Sequence, residues 1–313
     1  SIIATVAGHG EEKRVIAYNI LQGVDGIKLF MIDVNKGIAH QLVDLPVTAS
    51  CCLTWSPDGK TLAFLVYGDV YGSKIYLVNA DGSNVRPLTP READQSSPAW
   101  SPDSSRIAFL TTAGDTLNLS VIEVNTGRLQ PLETSMPSKF SPSWSPDGTH
   151  IIWQAGFPNP GIYTINLGTG NIQLLNKGWN NSAPQFSPDG AKIVFASLRG
   201  ESPEIYIMNA DGTNLARLTD TSATEENPRW SPDGQKILFT SNVNGAPQVF
   251  IMAVDGNNLY QLTHSDYVLR DAIWSLDGQQ ILYASMLNGK PNGTPEFYII
   301  NLDGSAKRRL TFN

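Results

Sequence analysis

Between residues 182 and 219 the apolar positions fall into four short runs separated by turn-forming residues. SAPQF is followed by SPDG, AKIVFAS by LRGESP, EIYIMN by ADGT, and NLARLT closes the series. Short runs rich in β-branched and aromatic side chains, bounded by Gly, Pro, Asn and Asp, predict strands, and no segment shows a 3.6-residue apolar period. The same order returns along the chain. Its marker, Trp230-Ser231-Pro232-Asp233-Gly234, has near copies beginning at Trp55, Trp100, Trp144, Phe186 and Trp274, at steps of 45, 44, 42, 44 and 44 residues. Pro presets φ for a type I turn, Asp tolerates the next position, and Gly supplies the positive φ that closes the hairpin.

Four strands per repeat of about 40–45 residues predict a β-propeller blade, so the expected fold is an all-β propeller of four-stranded antiparallel blades. Counting strand sets gives seven blades. The first has no SPDG: it runs through residues 13–20, 28–34 and 38–43, with residues 2–6 as its first strand and AGHGEE in place of the tight turn. Six blades plus an N-terminal extension is the alternative. Each terminal blade is expected to own all four strands. Two copies of the phrase deviate: Ser104 replaces the Gly, which costs about 1 kcal/mol at a positive φ, and Leu276 replaces the Pro. Both read as drift among equivalent copies. The repeat runs through residues 1–313, which predicts a single domain.

Charge narrows the partners. A formal net charge of −7, with 22 Lys and Arg against 29 Asp and Glu, argues against nucleic acid and anionic membrane surfaces. The densest basic run, Lys307-Arg308-Arg309, falls on an expected outer strand, where charge protects a sheet edge. No apolar run approaches the ~20 residues of a membrane span, no signal peptide is visible, and a monomer is expected. Cys51 and Cys52 are adjacent and point to opposite faces of a strand, so they read as small core-filling residues and not as a disulfide.

Candidate chemistry is sparse. The histidines, His9, His40, His150 and His264, occupy unrelated repeat positions without metal-ligand spacing, and no metal or other cofactor is expected. The turn residues Asp58, Asp103, Asp147, Asp189, Asp233 and Asp277 are structural, because catalysis needs one asymmetric constellation. Glu225-Glu226 is expected in an inter-blade loop. No G-x-S-x-G pentapeptide occurs.

What remains is surface. The first-to-second and third-to-fourth turns share one uniform rim; the second-to-third and inter-blade loops share a variable one, where recognition is expected. That rim carries the candidate binding residues Tyr71, Arg91, Phe157, Trp179, Arg199, Glu226, Tyr267 and Arg270, together with Tyr67 and Phe140, types that anchor interfaces. Trp179, flanked by polar residues, is expected to be exposed. Three residues before each motif aromatic stand Cys52, Ser97, Ser141, Ala183, Asn227 and Asp271, all small or polar and expected at a channel mouth.

The stretch from Phe186 to Thr219, with Trp230 to Thr263 close behind, resembles the TolB-type propeller repeat, a WD40-like four-stranded unit. This family occurs in periplasmic TolB-like proteins and in the propeller domains of prolyl-oligopeptidase-like enzymes. The resemblance implies a propeller and a periplasmic or extracellular setting. It also brings in a six-bladed ring preceded by a small α/β domain, neither of which is read here. Function is then expected to be non-enzymatic binding of a protein or peptide on the variable rim. The alternative is an enzyme, or the propeller module of one, acting on peptide or carbohydrate at the channel. A third reading is a sensory or adhesive module of a longer membrane-attached chain.

Overall fold

The computed structural model describes residues 4–5, 15–21, 27–33, 38–45, 49–69, 72–89, 94–113, 116–132, 139–178, 180–265, 267–286 and 296–310. Their regular structure is entirely β. It forms seven four-stranded sheets, at residues 4–45, 49–87, 95–132, 139–177, 181–217, 225–261 and 268–309. In each sheet spatial order follows chain order. Six sheets carry the turn phrase between their first two strands, and the first sheet does not. Residues Ala4–Thr5 pair with Ala17 and Ile16 of the neighbouring strand, and Arg308–Arg309 pair within the seventh sheet. Each terminal sheet therefore owns four strands. The chain divides into two compact units, Ser1–Trp144 and Ser145–Asn313.

The central strands are apolar on both faces because a sheet lies on each side. In the fifth sheet Ile193 and Phe195 pack with Ile152, Ile162 and Leu175 of the fourth, while Val194 and Ala196 pack with Trp230, Ile237 and Phe239 of the sixth. Leu238 and Ile251 then meet Trp274, Ile281 and Tyr283 of the seventh. In the first unit Leu29 and Val43 pack on Trp55, Leu62 and Phe64, and Leu65 and Ile75 on Trp100 and Phe109. Directly paired aromatics stack across the second and third strands: Phe195 with Tyr206 at 5.8 Å and Phe239 with Phe250 at 5.7 Å between centroids. The fourth strands shrink where a longer run was expected; NLARLT contributes only Ala216–Arg217. Those two residues are exposed, whereas Leu218 past them packs on the core and Thr219 is buried with its hydroxyl bonded to Glu204.

Each SPDG phrase is a wired turn. Ser231 Oγ donates to Asp233 Oδ1 at 2.5 Å, the Gln235 N–H donates to the same oxygen at 3.0 Å, and the Gly234 N–H closes on the Ser231 carbonyl at 2.9 Å. Gly234 has φ 69°, and Ser104, in the one copy without Gly, has φ 61°. Ser104 is more than drift: its hydroxyl accepts the Asp58 N–H at 3.0 Å, tying two successive turns. The motif indoles do the same from the other side. Trp230 Nε1 donates to the Gln185 carbonyl at 3.2 Å, Trp274 to Arg229 at 3.3 Å, Trp100 to Thr54 at 3.1 Å and Trp144 to Ala99 at 2.9 Å.

Two outcomes follow from this wiring. Trp230→Phe deletes the indole bond and should cost roughly 1–2 kcal/mol, from a hydrogen bond of about 1 kcal/mol plus lost packing; equilibrium urea unfolding measures it, and an unchanged midpoint contradicts it. The Ser145 hydroxyl, then the Thr149 N–H, hold the Asp147 carboxyl down at about 2 from its ordinary 3.8. A lowered folded-state value contributes stability that is present above the unfolded value and lost as pH falls through the folded one. Melting temperature should thus drop between about pH 4 and 2, and Asp147→Asn should flatten its share of that slope.

Candidate functional site

The variable rim of the second unit is built on a repeated polar clasp. The third strand of the fifth sheet opens with Glu204, which is buried. Its carboxylate accepts from Thr219 Oγ1 at 2.7 Å, the Thr221 N–H at 2.9 Å and Arg217 Nη2 at 2.6 Å. Thr219 Oγ1 in turn accepts the Ile205 N–H. Gln248 holds the same place in the sixth sheet. It accepts from Thr263 and donates to the carbonyls of Ser265 at 2.7 Å and Tyr267 at 3.2 Å, which fixes the loop entering the seventh sheet. In the seventh sheet the place is taken by Glu296, bonded by Arg309 and Tyr298. These clasps anchor the connections that carry the candidate residues. The signal was present in the sequence as Glu204, Gln248 and Glu296 at equal positions, each followed fourteen residues on by a Leu-Thr pair.

Beside Glu204 lies Glu225, also buried. Glu225-Glu226 does not sit in a loop as expected. The pair opens the first strand of the sixth sheet, opposite Ser241 and Thr240, because the ladder extends past the bulge that follows. Burial pushes the Glu225 carboxyl up, and the negative Glu204 adds to this against the Thr219 and Thr221 hydroxyls. Burial also works to raise Glu204, yet the bonds from Thr219, the Thr221 N–H and Arg217 outweigh it, and Glu204 is lowered. The two buried carboxyls are therefore shifted in opposite directions, Glu225 up and Glu204 down.

The candidate residues divide. Phe157, in the second-to-third loop of the fourth sheet, is 70% exposed, and Tyr267 is 40% exposed at the entry to the seventh. Glu226 is exposed, with its carbonyl accepting from Thr240 Oγ1. Arg199 is instead a packing staple. It bonds Ser197 Oγ at 3.3 Å, the Asn176 side chain and the Lys177 carbonyl, and it lies over the Tyr206 ring at 5.5 Å. It thereby joins the end of the fourth sheet to the fifth. Arg270 is not in a loop but in the first strand of the seventh sheet, Val268–Trp274, paired with Ala284. Phe140 likewise falls in a first strand, Lys139–Trp144, and Tyr67 near the end of a second strand, 41% exposed. Tyr71, Arg91 and Trp179 lie outside the described residues.

Cys52, Ser97, Ser141, Ala183, Asn227 and Asp271 share a backbone feature: all have φ between 49° and 57°. In the five sheets whose first-strand register is described, each lies at a β-bulge, where two first-strand residues oppose one of the second strand. Between Glu226 and Arg229, for example, the register shifts by one. Small or Asn and Asp side chains suit a left-handed backbone, which accounts for the residue types without any ligand. Sequence reasoning missed Arg229, two residues past that bulge residue. It is accessible to solvent but hemmed in by protein, which lowers its proton affinity while the Asp271 carboxylate opposes the effect.

The repeated unit, with its wired SPDG turn and four-stranded sheets, agrees with a family pattern described as the TolB beta propeller domain, which matches residues 11–156 and 118–311. The chain belongs to that family. Among curated proteins, Tol-Pal system protein TolB of Francisella tularensis is 42% identical over 62 residues, 19% of this chain and 14% of that protein. Dipeptidyl-peptidase 5 of Porphyromonas gingivalis is 39% identical over 69 residues, 20% of this chain and 10% of that protein. The matched segments thus span a small part of these relatives' length. Among solved structures, TolB from Acinetobacter baumannii superposes with a TM-score of 0.62 at 22% identity, over 94% of this chain and 78% of that one. A puromycin hydrolase S511A mutant complexed with PGG gives 0.78 at 14% identity, over 100% of this chain and 53% of the hydrolase. At these identities the likeness is one of fold. Among the described residues no helix is long and apolar enough to cross a membrane.

A group raised in the folded state, like Glu225, contributes stability that is complete below the ordinary glutamate value of about 4.3 and lost as pH rises through the folded one. The native protein should therefore lose some stability as pH rises above that ordinary value. Glu225→Gln should flatten that slope of melting temperature against pH. Glu204→Gln, which leaves Arg217 only the exposed Asp220 carboxylate, should destabilise by roughly 1–3 kcal/mol. Equal slopes for Glu225→Gln and native protein would refute the raised Glu225 carboxyl.

Proposed function

We propose that the chain is a non-enzymatic scaffold that binds a protein or peptide through the variable rim. The observation that carries this reading is the exposure of two large aromatics outside the core: Tyr267, on a connection whose carbonyl is held by the buried Gln248, and Phe157, on the second-to-third loop of the fourth sheet. Rigid aromatic anchors with little entropy left to lose are what a recognition surface requires. Arg199 contributes as the staple that positions residues 176–178. Glu226 and Arg270 supply rim charge, and Tyr71, Arg91 and Trp179 belong to the same rim by repeat position. The small residues at the bulges, from Cys52 to Asp271, would leave a channel mouth uncluttered. The relative named as a Tol-Pal system protein supports a role within an assembly, and with it a periplasmic setting.

A second reading has its own support. The chain covers all of itself but only about half of a puromycin hydrolase, and a segment of it matches a dipeptidyl-peptidase. On that reading the propeller is the accessory module of a larger enzyme acting on peptides, and the same rim would face its substrate.

The test is capture from a periplasmic extract on immobilised protein, native against Tyr267→Ala, Phe157→Ala and Trp179→Ala. A specific partner should be retained by native protein and weakened roughly tenfold or more in the variants, with melting temperature unchanged. Undiminished capture by all three variants would sink the scaffold reading. Peptide hydrolysis gained only with a second captured polypeptide would favour the module.

A further inference from the structure

The uniform rim is interrupted in the second unit. Between the fourth and fifth sheets a cavity of about 630 Å³ opens among the SPDG turns, within the second unit, in the range that small-molecule sites occupy. Phe186 and Pro146 form apolar walls, Thr164 and Gln173 line one side, and Asp147, Asp189 and Asp211 stand at the turns around it.

The cavity lies where the repeat departs from itself. Four motif tryptophans bond a carbonyl one repeat upstream, and the position between Trp144 and Trp230 is Phe186, which has neither the second ring nor the N–H. The residue that opens the second strand changes as well. In the third sheet it is Arg106, whose guanidinium lies 4.7 Å from the centroid of the Trp144 ring. In the fourth it is His150. An aromatic with a cation above it, present between the third sheet and Trp144, is thus replaced by two smaller groups, and space takes the place of the indole.

The charge of that space follows from the hydrogen bonds. Asn166 Oδ1 accepts the N–H groups of Gly168 and Thr169, so its Nδ2 donates, and it does so to His150 Nε2 at 3.1 Å. On the other side of the ring, Nδ1 lies 2.7 Å from Thr149 Oγ1. The carboxylates set the sign of the space. Asp189 and Asp211 spend Oδ1 on their own turns, and Oδ2 of each has no hydrogen-bond partner among the described residues. Gln173 Nε2 donates to the Asp211 carbonyl and closes one side.

We propose that this cavity is a binding site for a flat aromatic ring bearing an ammonium group, a free arylalkylamine or the N-terminal aromatic residue of a peptide. The ring replaces the missing indole against Phe186 and Pro146, and the ammonium meets Asp189 and Asp211. This site is on the rim opposite the one proposed for protein binding, and neither depends on the other.

The experiment is isothermal titration and ligand-observed NMR of the whole chain with tryptamine, indole-3-acetate and the tripeptide amide Trp-Gly-Gly. Tryptamine should bind at least fivefold more tightly than indole-3-acetate. Phe186→Trp, which restores the indole, should abolish tryptamine binding while the melting temperature holds or rises. Asp211→Asn, which keeps the turn acceptor but removes the charge, should weaken tryptamine severalfold. Binding of the tripeptide as well as tryptamine assigns a peptide terminus; binding of tryptamine alone assigns a free amine. No tryptamine binding at 10 mM, equal affinity for the anionic analogue, or full binding by a folded Phe186→Trp variant would each overturn the proposal. Should Phe186→Trp fail to fold, the Asp211→Asn result decides.

Discussion

The contact on which the structure depends is the reach of each motif aromatic back to the sheet before it. Trp230 buries its ring between the fifth and sixth sheets and donates its indole N–H to a carbonyl 45 residues upstream. A sheet apolar on both faces cannot stand alone, since burying one face leaves the other in water. Stacking removes that liability only if every sheet meets the next in the same register. The indole bond and the turn beneath it fix that register. An insertion between two phrases has to be absorbed in the loops at the other rim, which is why the spacing stays within 42–45 residues while those loops differ.

The two rims follow from this division of labour. On the turn rim Ser, Asp and Gly satisfy one another, and a Cβ built on Gly234 or Gly278 would lie 3.5 or 3.4 Å from the Pro of the preceding turn, so successive turns are in contact. Little freedom remains there. On the other rim the buried Glu204, Gln248 and Glu296 hold the connections from beneath and leave their outer side chains unconstrained. Burying such groups is tolerable because each is bonded by a fourth-strand hydroxyl or cation. The Glu204–Glu225 pair is the place where that frame carries more carboxyl than cation, and there the two carboxyls are pushed apart in proton affinity.

A propeller fold serves binding proteins and enzymes alike, so the fold by itself assigns neither. The two proposed sites rest on opposite kinds of evidence in the molecule. The variable rim is marked by aromatics that the core does not use. The cavity on the uniform rim is marked by an aromatic the core would have used and lacks.

How much of this was legible in the sequence depends on the range of the interaction. Turn chemistry is local: Ser-Pro-Asp-Gly dictates its own hydrogen bonds within five residues, and the alternation of KIVFAS dictates a strand buried on both faces. The sheets, their order and the positive φ at Ser104 were therefore readable directly. Bulges, clasps and cavities are not local. That Cys52 to Asp271 share a left-handed bulge came only with the pairing, and Arg199 looked like an anchor until Asn176 and Tyr206 claimed it. Phe186 was one more motif aromatic until the space beside it appeared, because a missing ring is visible only against the neighbours it would have touched.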